Sequence, residues 1–283
     1  MSKVLIADSG STKTDWRLIN TTTKQVEQLS SKGLNPFHNS KSQIIEEIVR
    51  TFGGLDCNEV SQVFFYGAGC SSKEKQLFVM ESLQAVFRVA HIEVNHDLLA
   101  AARASLNKDQ GIILILGTGS SCGVYDGDTL SISTPSLGYI LSDEGSGVAI
   151  GKSILKNYFY NKFPSELSVS FNRRYLLNKE TVLNAIYKEK LPNKYIASFS
   201  QFAFHNKHHP FISKLINDVF TELFESLIIT IPDYKSLPIS IVGSIGFYYS
   251  DFIRSVASSF DCKVGLILEK PIAGLTLYHT SLE

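Results

Sequence analysis

Three short turns rich in glycine, serine and threonine each follow an unbroken apolar run. Asp8-Ser-Gly-Ser-Thr-Lys-Thr14 follows KVLIA, Gly117-Thr-Gly-Ser-Ser121 follows GIILIL, and Gly243-Ser-Ile-Gly246 follows ISIV. Glycine lets a backbone approach a phosphate closely, and successive N–H groups form an anion-binding concavity. Serine and threonine add short donors to phosphate oxygens. Any one of these turns alone is an ordinary hairpin. Three in one chain, two of them in a duplicated pattern, favour nucleotide binding. Asp8 ends a strand beside the first turn. A carboxylate there can hold Mg2+, through water, since magnesium keeps much of its hydration shell.

The elements that must position these turns follow from periodicity. KVLIA reads as a buried strand, DWRLIN and QVEQL as further strands of an antiparallel meander. Residues 40–52 have helical spacing, with Ile44, Ile45, Ile48, Val49 and Phe52 on one side. VSQVFFYGAGC is a strand ending in a glycine loop, and 73–88 a helix carrying Leu77, Met80, Leu83, Val86 and Phe87. HIEVNH is a strand ending at Asp97, and LLAAARASL a short helix that Asp97 is placed to cap. From residue 111 the opening pattern recurs: GIILILGTGSSCGVYDGD against KVLIADSGSTKTDWRLINTT. This similarity suggests two related α/β domains. They are expected at 1–106 and 107–271, with a terminal helix at 272–283 joining the first. Between the second and third turns lies a helix-rich stretch, 146–230. The GSIG segment reads as a turn, with a helix starting near Tyr248 and running to about 259.

Several candidates carry less. Gly145-Ser-Gly-Val-Ala-Ile-Gly-Lys-Ser153 misses the P-loop spacing by one residue and lacks a preceding strand, so it reads as a helix start. His208-His209 reads as a solvated loop, and His96 as pointing away from Asp97 across the strand. FSQFAFH reads as core or interface rather than a base-stacking platform, and Trp16 as packing. Asp143 and Glu144 are an adjacent acidic pair, of which Glu144 reads mainly as an N-terminal helix cap. Asp15 is either catalytic or a strand-edge charge.

The 283 residues carry 27 basic and 27 acidic side chains, which argues against a strongly basic nucleic-acid binder. The four cysteines, at 57, 70, 122 and 262, form no CxxC pair, so neither a zinc site nor a disulfide framework is expected. No apolar run suits a membrane span and no signal peptide is recognisable, so a cytoplasmic setting is expected.

DSGSTKT, GTGSS and VGSIG, in that order, resemble the phosphate-1, phosphate-2 and adenosine motifs of the actin/hexokinase/Hsp70 ATPase superfamily. GYILSDEGSGVAIGK resembles the signature of the BadF/BadG/BcrA/BcrD ATPase family, which includes N-acetylglucosamine kinases. GLNP at 33–36, YGAGC at 66–70 and PIAGLTLYH at 271–279 are similar to that group too. The resemblance implies an α/β fold of two actin-like ATPase (ribonuclease H-like) domains with a nucleotide cleft between them, using ATP and Mg2+. It implies an ATP-dependent sugar kinase, best matched to N-acetylglucosamine. Asp97 is then the base that takes the proton from the sugar hydroxyl. Gly10, Ser11, Thr12 and Lys13 would meet the phosphates from the first turn, and Gly117, Thr118, Gly119 and Ser120 from the second. Gly243 and Ser244 would lie under the adenosine, and Asn35, Ser121 and Asp143 would contact the sugar.

Three positions depart from the family pattern on the sugar side. They are Ser121 in place of Asn, Leu137 in place of Trp, and Gly67 in place of Ser. Two alternatives stay open. An activator ATPase would share an iron–sulfur cluster, although Cys70 and Cys122 do not sit in such motifs. A sugar-sensing regulator would carry an added helix-turn-helix domain, for which a first strand at residue 3 leaves no room. The partner implied is a small-molecule sugar, with no nucleic acid or membrane; a homodimer is possible, as in similar kinases.

Overall fold

The computed structural model describes residues 2–132 and 134–280. The chain divides into two units. One runs up to Lys108 and resumes at Lys270; the other is Asp109–Glu269.

The first unit contains β1 (Lys3–Ser9), β2 (Lys13–Asn20), β3 (Val26–Lys32), α1 (Lys41–Phe52), β4 (Val60–Gly67), α2 (Lys73–Gln84), β5 (His91–His96) and α3 (Asp97–Leu106). Its sheet has the order β3-β2-β1-β4-β5, with β1 antiparallel to β2 and parallel to β4. Leu5, Ala7, Trp16, Val63 and Phe65 form one face of the sheet and pack on Ile44, Ile48 and Phe52 of α1 and Val79 and Leu83 of α2. Strand alternation turns Ile6 and Asp8 to the other face. Register places Ser9, Gly67 and His96 in one row, so the three parallel strands finish together. Loops leaving such carboxyl ends are where α/β sheets build sites.

The second unit begins with β6 (Gly111–Leu116), β7 (Ser120–Tyr125) and β8 (Leu130–Ser131). A helical stretch follows: α4 (Gly138–Leu141), α5 (Gly147–Phe159), α6 (Ser165–Tyr175), α7 (Lys179–Tyr187), α8 (Pro192–Ser198), α9 (Ser200–His205) and α10 (Pro210–Leu223). It closes with β9 (Ile239–Val242), α11 (Ser244–Tyr248), α12 (Ser250–Ser259) and β10 (Val264–Leu268). The sheet order, β8-β7-β6-β9-β10, repeats that of the first unit strand for strand, with the same directions. The duplication read from the strand–turn–strand similarity is therefore present in the topology. The core is aromatic-rich: Phe163, Phe171, Phe199, Phe202 and Phe220 are buried together.

The last helix, α13 (Ile272–Thr280), belongs to the first unit and lies on α3. Gly274 permits the contact, since a Cβ there would stand 2.3 Å from the Ala104 carbonyl oxygen. His279 stacks on Phe64 with ring centroids 3.9 Å apart, and its Nε2 is 2.9 Å from the Tyr66 hydroxyl. Residues 281–283 of the expected 272–283 helix lie outside the described residues.

Four local expectations are corrected. Helix α2 stops at Gln84 rather than 88; Val86 and Phe87 follow in a turn, and Leu77 is exposed while Val79 faces the core. Val49 faces solvent because α1 buries only the Ile44–Ile48–Phe52 stripe. GSIG is no turn: Gly243 is the cap and α11 starts at Ser244. Asp97 does not cap its helix. The cap is His96, whose Nδ1 accepts the Leu99 N–H at 3.3 Å, leaving Asp97 as the first helical residue. Among the described residues, no helix is long and apolar enough to cross a membrane.

Candidate active site

In the first unit the site is built at the row where the parallel strands end. Pairing of β1 with β2 sets Asp8 directly opposite Asp15. Like charges in that position repel. Burial raises Asp15, but hydrogen bonds from Lys13 and Lys270 outweigh it and hold the carboxyl below its ordinary value. The Lys13 Nζ is 2.5 Å and the Lys270 Nζ 3.1 Å from its two oxygens. Asp15 is therefore an ion-paired strand residue.

Asp8 has no such cations of its own. Burial first, then the charges of Asp97 and Asp15, push it up to about 7, with Lys270 pulling partly back. Asp97 is pushed up to about 6 by burial, against hydrogen bonds from the Leu98 amide and its own. This edge thus carries more negative charge than its lysines neutralise, and its donors are hard carboxylate oxygens. Both features fit a divalent cation such as Mg2+. Among the described residues no three histidine, cysteine or acidic side chains form a metal cage of their own.

The first turn is closed by the Gly10 N–H on the Lys13 carbonyl at 2.9 Å. Residues 10–13 are exposed at its tip. The GLNP segment clasps it. A Cβ on Gly33 would stand 2.3 Å from the Gly10 oxygen, and the Asn35 side chain donates to Ser11 Oγ at 2.9 Å. Gly69, with φ +83, lies against Asn35 in turn. Three motifs that are separate in sequence, DSGSTKT, GLNP and YGAGC, therefore meet with Asp8 in this unit.

In the second unit the Gly117 N–H closes its own turn on the Gly119 carbonyl at 3.0 Å. Asp143, buried and at φ +74, accepts the Ser120 N–H at 3.0 Å. A Cβ on Gly119 would stand 2.8 Å from its carboxylate. Asp143 is thus a brace for the turn; Ser146, not the expected Glu144, caps α5 by accepting the Ala149 N–H. The same cap confirms the near-P-loop segment as a helix start. The amides of Gly147 and Val148 donate to the carbonyls of Gly117 and Thr118 at 2.8 and 3.1 Å. Neither the Thr118 nor the Gly119 amide is a donor in these bonds. Gly243, at φ +123, lets the third turn lie on the second: a Cβ there would meet the Leu116 oxygen at 2.3 Å.

Gly117, Thr118 and Ser244 line one cavity of about 500 Å³ with Phe204, Tyr248 and Tyr249. Ser121 and Asp143 line a second, of about 190 Å³, with Leu137. The sequence missed Lys194, Gln201, Phe204 and Tyr248 in the first cavity. FSQFAFH, residues 199–205, was a signal for Gln201 and Phe204 only; none pointed to Lys194 or Tyr248. Phe202 and Ala203 of that stretch are core as expected, but Phe204 faces the cavity.

Two five-stranded sheets of one topology, with glycine turns at their central strands, define an actin-like ATPase fold. A candidate N-acetylglucosamine kinase from Porphyromonas gingivalis has this fold, with a TM-score of 0.91 and 31% identity over 98% of this chain and 99% of its own. This chain belongs to the sugar kinases of the actin-like ATPase superfamily. The N-acetylmuramic acid/N-acetylglucosamine kinase of Clostridium acetobutylicum is 26% identical over 215 residues, 71% of this chain and 69% of that protein. A candidate N-acetylglucosamine kinase from Chromobacterium violaceum shares the fold at TM-score 0.76 and 14% identity, over 98% of this chain and 99% of its own. No protein-family model matches the chain.

Proposed function

We propose that the chain is an ATP-dependent kinase of amino sugars, with N-acetylglucosamine as the first acceptor to test and the primary hydroxyl as its target. Asp97 carries the reading. It opens a helix at the end of a parallel strand, where His96 and not Asp97 is the cap, and has its carboxyl raised to about 6. A carboxylate so placed is ionised at neutral pH yet a better base than an exposed one.

Asp97 would take the acceptor's proton. The amides of Thr118 and Gly119, and the exposed tip at Ser11, Thr12 and Lys13, would hold phosphate oxygens. Asn35, Ser121 and Asp143 would orient the sugar, and the cavity beside Gly243 and Ser244 would take the adenosine. Magnesium, when bound through Asp8, would neutralise phosphate charge. Most of the rate then comes from alignment and charge neutralisation, the base supplying a smaller share.

Under this reading the acceptor is a free small-molecule sugar and the compartment the cytoplasm. Light scattering decides between a monomer and the homodimer that similar kinases suggest. The activator reading gains no support from the thiols. Burial pushes both Cys70 and Cys122 up to about 12, away from the thiolates that ligate clusters.

A coupled ADP-release assay with ATP and Mg2+ tests the proposal across N-acetylglucosamine, N-acetylmuramic acid, glucosamine, N-acetylmannosamine, glucose and no sugar. Release dependent on one sugar, and abolished in Asp97→Asn, is expected. Equal release with and without every sugar would overturn it.

A further inference from the structure

We propose that Lys194 binds the phosphate chain of the nucleotide. The inference rests on the nucleotide half of the reading above and adds a residue outside the three glycine turns. Lys194 lies on α8 and lines the same 500 Å³ cavity as Gly117, Thr118 and Ser244.

Its position is fixed relative to the second turn by backbone contacts. Helix α8 starts abruptly, at Leu191 with φ +60 and Pro192 in its first turn. It then lies flush on α5. A Cβ on Gly151 would stand 1.9 Å from the Ile196 carbonyl oxygen, and one on Gly147 would stand 3.2 Å from the Ala197 Cβ. Gly147 in turn donates its amide to Gly117. Two glycines thus let the helix bearing Lys194 rest on the helix that braces the turn. The helix fixes the Lys194 backbone at the cavity, and its exposed, flexible stem can carry the ammonium to a bound anion.

The charges agree. No acidic side chain lines the cavity, and Lys194 has no ion-pair partner among the described residues. The other basic side chain lining it, His205, has its Nδ1 against the Gln201 carbonyl and Arg174. The remaining lining is largely apolar or hydroxylic, suited to a nucleoside. A nucleotide is anionic only along its phosphates, so that is the part an unpaired ammonium recognises. Lysine serves there as a point charge.

Calorimetry with two probes, ADP and adenosine, tests this on the full-length protein. Lys194→Met is expected to weaken ADP about ten-fold, a typical size for one charge-assisted contact, and to leave adenosine unchanged. Lys194→Arg should retain most of the ADP affinity. In turnover, the KM for ATP should rise with kcat and the sugar KM within two-fold, the pattern of lost uniform binding. ADP affinity equal to wild type in Lys194→Met would overturn the proposal. So would equal loss of ADP and adenosine, which marks a packing role. Wild-type protein that binds ADP but phosphorylates no sugar defeats the acceptor reading alone, and the two-probe comparison still decides Lys194.

Discussion

The two sheets share one strand order and one set of directions, yet the turns at their central strands are finished differently. In the first unit Asp8 and Asp97 have fewer partners than their charges need, and both carboxyls are raised, to about 7 and about 6. In the second unit the brace is complete: Asp143 takes the Ser120 amide, and the first amides of α5 take the Gly117 and Thr118 carbonyls. One scaffold has produced a charge-crowded edge and a satisfied cradle. Groups with shifted pKa values tend to do chemistry, and satisfied frameworks tend to position a ligand. Under the proposed function, the comparison puts the base in the first unit and the adenosine side of the nucleotide in the second.

The largest effect should come from removing the crowded edge's base. Asp97→Asn keeps the shape and loses the proton acceptor, so kcat should fall by about 10² to 10⁴. ADP affinity should stay within two-fold, since calorimetry reads the cradle and not the base. An unchanged kcat would sink the assignment. A parallel loss of ADP binding would mean the two units do not divide the work this way.

The glycines offer a second contrast. Gly243→Ala puts a Cβ 2.3 Å from the Leu116 oxygen at φ +123. It should cost about 2–3 kcal/mol and take nucleotide binding with it. Gly10→Ala meets nothing nearer than the Lys13 oxygen at 3.6 Å and should stay within about 0.5 kcal/mol. Urea unfolding of the two variants checks this. Equal costs would mean that close backbone packing does not distinguish the cradle from the edge.

Activity and stability should respond to pH with opposite signs. As pH falls through about 6, Asp97 protonates and kcat/KM should drop roughly ten-fold per unit. For stability, both folded pKa values lie above the ordinary carboxylate value of 3.8. The folded state then binds protons more tightly than the unfolded chain. The contribution is full below about pH 4 and is lost as pH rises through 6 and 7. Without Mg2+, melting temperatures of wild type should fall across that window relative to Asp8→Asn, and metal should narrow the gap. A flat difference between the two proteins would show that Asp8 is not held protonated.

Much of this was legible in the sequence because it is local. Strand, glycine turn and strand repeat within short windows, so both sheets and the first two turns could be read, whereas GSIG, read as a turn, opens α11 at Ser244; the role expected of Asp97 came from the family resemblance, not from its local pattern. What escaped is what depends on distant packing. The end of α2 at Gln84 is set by Val86 and Phe87 folding under the helix, and their helical spacing hides that. The His96 cap is invisible because histidine seldom serves as one. Phe204 and Lys194 reach the cavity beside Gly117 from helices far along the chain, and no spacing rule links them to it.

Asp143 permits the finest cut, because it stands both behind the satisfied turn and along the smaller cavity with Ser121. Asparagine tolerates the left-handed backbone found at φ +74 and still offers an oxygen to the Ser120 amide. Asp143→Asn should therefore leave ADP affinity and stability nearly unchanged, the latter within about 1 kcal/mol. Only the charge is lost, and a charge matters to a sugar hydroxyl more than to an amide already held. The sugar KM should rise a few-fold. Asp143→Ala removes the acceptor as well, leaves a buried N–H unpaired, and should weaken ADP too, at about 1–3 kcal/mol in stability. If both variants shift the two ligands alike, Asp143 only braces the turn. If Asp143→Asn shifts the sugar alone, one carboxylate both holds the turn and reads the acceptor.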